Sequence, residues 1–425
     1  MGRCIIFLDF RPNYNRWGRP LRFSERVIYL RRMLDEILRE EYALTRNTNV
    51  SVVDVLVFAF LTAAGLLSRL VLFPYESGDY TAFLSGWFNI LRAAGGLRGI
   101  GLSIGDYTPP YIYILSLLTY LPMRDLYLIK LISVLFDFLL AVFLMQAAFT
   151  FRRSRKDAVA VYAAALFVPT LLCNSAFWAQ CDSVFTALLI MCVYFFFRDR
   201  PFAAVLCFSL SLAFKLQAVF LAPFLLAMWL KGRMRLRHFG LIPAAYLASI
   251  LPAWIMGRPL SELLTIYLGQ TERYSRICLN APNIWYFLNE DRSVTLSSAA
   301  LLICGAAAAV ALYLLYLKEF PLTSERILLI ALFFALLLPS LLPHMHERYF
   351  YPADALAILY GFSRPKRLHI PLMVIFASAA SYLPFLFGHA PIDLRLASLV
   401  MFSALLLTAR DLFLLPPPES AGVQP

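Results

Sequence analysis

Apolar runs separated by short polar segments make up most of the chain. A helix that crosses a bilayer needs about 20 apolar residues at ~1.5 Å rise each. The runs at 52–73 and 126–149 meet that length. Further runs at 158–173, 177–197, 201–214, 216–230, 239–256, 295–317, 326–342, 349–362, 369–387 and 393–414 bring the expected spans to about twelve. Between the first two lies "PPYIYILSLLTYLP" (109–122), whose apolar core of ~12 residues is short for a crossing. Charge decides its placement. As a full span it would put "FRRSRK" (151–156) outside; as a re-entrant or surface helix it leaves that basic segment cytoplasmic, in keeping with the positive-inside rule. Strand-like alternation is absent, which argues against a β-barrel. The predicted fold is an all-α polytopic membrane protein of about twelve transmembrane helices, with a short re-entrant or surface helix in the first outer loop.

On this topology both termini are cytoplasmic. The inner loops "RRSRKD", "RDRP", "KGRMRLRH", "KEFPLTSER" and "SRPKR" are each short and basic. Residues 1–51 form a basic arm, 52–415 the transmembrane domain, and 416–425 a tail. In the arm, "FSERVIYLRRMLDEILREEY" (23–42) places Phe23, Val27, Leu30, Leu34, Ile37 and Leu38 at helical spacing, with Ser24 as a cap. That predicts an amphipathic helix on the membrane face or a plain solvated helix.

Composition agrees with the pattern. Of 425 residues, 61% are hydrophobic and only 15% charged, where a soluble chain would carry about 25% charged residues, so lipid is the main solvent. The mean hydropathy of +0.71 says the same. The net charge of +12 would suggest nucleic acid in a soluble protein. Here the basic residues sit between apolar runs and set topology, so no nucleic-acid partner is expected. The seven cysteines lack metal or disulfide spacing, and Cys173, Cys181, Cys192, Cys207 and Cys304 read as small buried hydrophobes. No cofactor is expected. The Arg-rich first ~50 residues are too polar for the apolar core of a signal peptide.

Candidate chemistry gathers on the outer segments 74–125, 174–182, 214–217, 257–294 and 343–351. An ionisable residue at membrane depth is expensive, so Asp182 and Lys215, each beside long uncharged runs, are functional candidates. Lys215 could equally snorkel to the interface. Asp79 in "ESGDY" starts a predicted helix and reads as an N-cap or as a general base; Asp106 repeats the "GDY" triplet and could orient it, with Tyr107 beside it. In "NSAFWAQCD" (174–182), Asn174, Trp178 and Asp182 would share one helix face, with Gln180 nearby; Trp178 also suits an interfacial belt. "PHMHERYFY" (343–351) holds His344, His346, Glu347 and Arg348. Arginine suits bidentate phosphate binding, and histidine can donate to a phosphate. Zinc on His344, His346 and Glu347 is a competing reading, without HExxH spacing or an obvious fourth ligand. So is a structural Glu347–Arg348 ion pair. Glu76 and Asp79 could hold a divalent cation weakly. The segment 257–294, with "QTERYSR" and "NAPNIWYFLN" and hence Asn283, would suit a sugar or an interfacial lid.

"SGDYTAFLSGW", "GDYTPPYIYIL", "FWAQCDSVFTALLI", "FKLQAVFLAPFLL", "LNAPNIWYFL" and "LLPHMHERYFYPADALAI", in order from about 77 to 358, resemble the GT-C superfamily of polytopic glycosyltransferases. The likeness is greatest to bacterial and archaeal relatives of the second mannosyltransferase of GPI-anchor synthesis. It extends to the glucosyltransferases that finish the lipid-linked N-glycan precursor, whose "HEK"-like motif is "HER" here. The resemblance implies a polyprenyl-phosphate-sugar donor and inverting transfer to a lipid-linked or cell-envelope glycan on the outer face, with Asp79 as base. With the residue chemistry it gives a site in which His346, Arg348, Lys215 and His344 bind the donor phosphate. Glu347, Asp182, Gln180, Trp178, Tyr107 and Asn283 would line the sugar site. A transporter or flippase, using Asp182 and Lys215 as a pathway, is the rival class.

Overall fold

The computed structural model describes residues 27–28, 31, 41–45, 48–152, 154–271, 276–288 and 294–414. Most of the helix expected at 23–42 and of "QTERYSR", and the tail at 416–425, lie outside the described residues. The chain divides into two units, residues 1–67 and 68–425, where the sequence placed the boundary after residue 51.

In the first unit, β1 (Glu41–Thr45) pairs antiparallel with β2 (Thr48–Ser51). Helix α1 (Val52–Leu72) begins there. Its start is fixed by reciprocal caps: Asp54 N donates to Ser51 Oγ at 3.2 Å, and Ser51 N donates to Asp54 Oδ2 at 3.1 Å.

The rest is helical. A π turn (Tyr80–Leu84) leads into α2 (Ser85–Ala93), followed by α3 (Pro109–Leu118) and α4 (Asp125–Arg152). Then come α5 (Arg155–Phe167), a π turn (Cys173–Phe177), α6 (Asp182–Phe197), α7 (Pro201–Phe214) and α8 (Ala222–Leu230). Helices α9 (Leu241–Ile255) and α10 (Leu260–Thr271) precede the short strand β3 (Cys278–Leu279). Helices α11 (Val294–Leu317) and α12 (Ser324–Leu341), strand β4 (Met345–His346), and α13 (Tyr351–Ser363), α14 (His369–Phe387) and α15 (Leu394–Phe413) complete the chain.

About 79% of the chain is helical, with almost no sheet, and the protein is an all-α membrane protein. Among the described residues, seven helices are long and apolar enough to cross a bilayer, or eight if the bent pair 155–167 and 169–177 is one span. The seven match the expected segments at 52–73, 126–149, 239–256, 295–317, 326–342, 369–387 and 393–414. The segments expected at 177–197, 201–214, 216–230 and 349–362 are shorter helices, cut by identifiable breaks. Ala179 sits in the left-handed region (φ 67°), and Lys215 is extended between α7 and the next turn. The 109–122 segment is a helix of only 10 residues, begun by two prolines that preset its first turn.

Burial sorts the helices. Every residue of α12 from Arg326 to Leu341 is buried, so this all-round apolar helix runs through the protein's centre. Helices α4 to α7 pack as neighbours, and α12 contacts α13 and α15. By contrast α11 shows Leu301, Leu302 and Ile303 at its surface, as a lipid-facing helix does.

Candidate functional site

One cavity of about 810 Å³ lies where α12 ends and α2, α3 and α6 begin. Asp79, Asp106, Tyr107, Gln180, Lys215, His344, His346 and Arg348 all line it. Residues from four separate segments therefore meet, as their shared polarity suggested.

Asp79 is carried on a turn that is fixed from several sides. Lys130 on α4 donates to the carbonyls of Leu72 (3.1 Å), Phe73 (3.0 Å) and Tyr75 (2.6 Å), satisfying the open end of α1. The Tyr75 ring stacks on Phe177 at 3.7 Å, and Ser77 Oγ donates to the Trp178 carbonyl at 2.5 Å. Residues 75–79 are thus laid against 177–178. The Asp79 side chain makes no cap to the backbone, unlike the capping alternative. Instead its Oδ2 accepts from the Trp178 indole Nε1 at 2.9 Å and from Gln180 Nε2.

Asn174, Trp178 and Asp182 do not share one helix face. The left-handed Ala179 breaks the helix, and the chain turns so that Trp178 and Gln180 both reach Asp79. Trp178 is fully buried between Phe385 and Tyr382, which excludes the interfacial-belt reading. Asp182 is also buried, its side chain 1% exposed, and does not line the cavity. It accepts from Asn174 Nδ2 at 2.8 Å and from Lys215 Nζ, and lies 3.5 Å from Arg348 Nε. Asp182 therefore holds the two cations rather than touching a ligand. Lys215 does not snorkel: its side chain is 5% exposed, and its Nζ lies 5.3 Å from the centre of the Tyr107 ring.

Residues 343–348 are held by pairing of β3 with β4, in register Cys278 with Met345 and Leu279 with His346. The Glu347 amide adds a bond to the Leu279 carbonyl at 3.1 Å. Arg348 gathers three carboxylates: Glu347 at 3.3 Å, Asp182 at 3.5 Å and Asp79 at 4.0 Å. Its guanidinium also lies 5.5 Å from the Trp178 ring. Burial alone would lower the Arg348 pKa, but Asp182, Asp79 and Glu347 outweigh it and hold the group well above the ordinary arginine range. Its charge is permanent. Glu347 is buried and forms the ion pair with Arg348 that the structural alternative foresaw, although as one of three.

Two predicted site residues have other work. His344 Nδ1 lies 2.6 Å from the Arg276 carbonyl and Nε2 lies 3.0 Å from Ser297 Oγ, so its ring ties the 276–280 segment to α11 at the cavity edge. Asn283 does not reach the cavity. It accepts from Trp285 N at 3.1 Å and donates to the carbonyls of Pro339 and Leu342, both at 3.3 Å, clipping the loop onto the end of α12. Glu76 is paired with Arg124. Among the described residues, no group of three or more His, Cys, Asp or Glu side chains converges to hold a metal ion.

Sequence reasoning missed a second buried group beneath the site. Asp137 on α4 accepts from Arg69 Nε at 2.8 Å, Ser175 Oγ at 2.5 Å and Tyr351 OH at 3.3 Å. It joins α1, the 173–177 turn and α13, the elements that precede Asp79, precede Trp178 and follow Arg348. The signal was there: Asp137 is a carboxylate in the middle of the expected span 126–149. Trp87 and Phe83 also line the cavity, on the run that begins with Asp79.

Chemically, the cavity sets a fixed carboxylate beside a permanent cation. Part of its wall is apolar, from Leu216, Val219, Phe220, Val294, Leu301 and Met345. No family model matches the chain, and no curated protein matches it.

Proposed function

We propose that this protein is an inverting glycosyltransferase of the cell membrane. It would move a hexose, mannose by the resemblance, from a polyprenyl-phosphate-sugar to a hydroxyl of a lipid-linked or cell-envelope glycan. The cavity would face outward, both termini inward, and the shorter helices would complete a bundle of about twelve spans. One observation carries the reading: Asp79, oriented by Trp178 and Gln180, lies 4.0 Å from Arg348 in a cavity with a long apolar wall.

The residues then divide the work. The acceptor oxygen attacks the anomeric carbon and its proton passes to the Asp79 carboxylate. The bond from that carbon to the phosphate oxygen breaks, and its electron pair leaves with the polyprenyl phosphate. The charge developing there is met by Arg348 and Lys215, with His346 beside them. A single displacement inverts the anomeric centre. Leu216, Val219, Phe220 and Leu301 would hold the first isoprene units. The two cations are already held in place by Asp182, so little reorganisation is needed as the phosphate departs.

The test is turnover in proteoliposomes with radiolabelled polyprenyl-phosphate-mannose, then the glucose donor, and membrane-lipid extract as acceptor. Transfer by the wild type and a loss of about 10²–10⁴-fold in Asp79→Asn are expected. Full turnover in Asp79→Asn would remove the base. Movement of intact lipid-linked sugar across the bilayer without transfer would favour the flippase instead.

A further inference from the structure

The device in which one buried carboxylate holds two cations recurs far from the cavity. Asp411, in the last turn of α15, is fully buried and accepts from the Tyr360 phenol at 2.7 Å. Its Oδ2 lies 3.1 Å from Arg367 Nε, and its Oδ1 lies 3.0 Å from Arg410 Nη2 and 3.3 Å from Arg410 Nε. Among the described residues, neither guanidinium pairs with a second carboxylate. One negative charge therefore faces two positive ones. The Arg367 and Arg410 side chains are 27% and 39% exposed, and Lys366 beside them is exposed too. A guanidinium carries five N–H donors, so each arginine keeps several for another anion. The carboxylate that aims them is held firmly. Arg326 donates to the carbonyls of Asp411 at 3.3 Å and Leu412 at 2.7 Å, and Lys318 donates to that of Phe413, pinning the end of α15. Arg364, three residues before Arg367, is paired with Glu325 of α12.

Helix α14 gives the distance from the cavity. Phe385, near its end, lines the cavity, whereas its first residue, His369, follows the turn Pro365–Arg367 after one residue. Its 19 residues at ~1.5 Å rise each span ~28 Å, close to the ~30 Å of a bilayer's hydrocarbon core. The arginine pair thus sits at the level of the leaflet opposite the cavity. Apolar surface adjoins it. Leu368 and Leu372 are exposed at the start of α14, and Leu406 is exposed one turn before Arg410, on the same face of α15. A soluble anion would use the arginines and leave these leucines bare. A choline or ethanolamine headgroup would bring its own cation against the excess positive charge. We propose that Arg367 and Arg410, with Lys366, bind the phosphate of an anionic phospholipid whose chains lie along Leu372 and Leu406. Basic loops at one end of a membrane protein attract anionic lipid in general. Here a buried carboxylate orients two of the arginines, which makes a site of a surface charge.

The experiment is native mass spectrometry of the full chain in detergent, titrated with phosphatidylglycerol, phosphatidylcholine or soluble glycerol 3-phosphate. The wild type should bind phosphatidylglycerol at least tenfold more tightly than phosphatidylcholine or glycerol 3-phosphate. Arg367→Gln and Arg410→Gln should each weaken phosphatidylglycerol binding about fivefold, the effect of one cation near a lipid surface. Each leaves Asp411 paired with the other arginine, and an unchanged melting temperature in phosphatidylcholine nanodiscs would show that the fold persists. Arg410→Lys should keep most of the affinity. Arg237 is an exposed charge on the loop whose Lys231 donates to the Lys318 carbonyl, so it lies at the same end of the protein. Arg237→Gln should change binding less than twofold. Four results overturn the proposal: equal affinity for the two lipids, glycerol 3-phosphate that binds as tightly as phosphatidylglycerol, wild-type binding in both arginine variants, or an equal loss in Arg237→Gln. The last would reduce the effect to diffuse attraction.

Discussion

The cavity's two walls treat charge differently. On the wall from residues 78–111, Asp79 and Asp106 stand among half-exposed aromatics, and Asp79 is held by neutral donors, an indole N–H and an amide. On the wall from 174–182, 215 and 344–348, Asp182 is 1% exposed and Lys215 5%, and every charge sits against an opposite one. On the first wall Asp79 keeps its two neutral donors and has Arg348 at 4.0 Å, the most distant of that cation's three carboxylates. The second can keep two cations out of water because Asp182 lies beneath both.

Asp182→Ala should break this contrast most severely. It would leave Lys215 and Arg348 buried without their shared partner, and loss of one member of a buried pair costs about 3–5 kcal/mol. Melting in detergent or nanodiscs should show it. Asp79→Asn should do the reverse, lowering turnover far more than melting temperature. Equal destabilisation by the two would erase the distinction between the walls.

Arg348→Lys sharpens the comparison at smaller cost. Lysine keeps the charge but lacks the fork that spans Asp182, Glu347 and Asp79. Donor KM should rise about tenfold, roughly 1.4 kcal/mol, with acceptor KM little changed. A rise confined to the acceptor would put the phosphate elsewhere.

The smallest effect concerns the margin of the first wall. Ser103 Oγ donates to Glu262 Oε2 at 2.5 Å, and Arg258 Nη2 donates to Glu262 Oε1 at 2.6 Å. Burial raises the Glu262 pKa, but these bonds and the Arg258 charge outweigh it and leave it below the ordinary value. The stabilisation is therefore present above the unfolded glutamate pKa, near 4.3, and is lost as pH falls through the lower folded value. Amide exchange at 101–104 should quicken in that acid window, and Glu262→Gln should remove the pH dependence. The pair is partly exposed, so global stability should hardly move.

Much of the site was legible in residue types. Asp79, Asp106, Lys215, His346 and Arg348 stood out because a lipid-embedded chain avoids such groups, and they do meet in one cavity. Asn283 lies away from the cavity because a side chain that suits a sugar serves equally well to clip a loop, as its bonds to Pro339 and Leu342 do. Asp137 escaped notice because it lies alone in an apolar run, and its partners are on α1, the 173–177 turn and α13.

By itself, the sequence determined that the protein is a helical membrane protein and where its seven long helices run. Apolar run length and basic flanks are local quantities, and lipid as solvent enforces them over each ~20-residue stretch. Only the tertiary structure decided which polar groups line the cavity and which hold the others. Trp178 meets Asp79, and Arg348 meets Asp182, across 99 and 166 residues of chain. No periodicity carries that information, because it depends on how breaks such as the one at Ala179 turn one segment onto another.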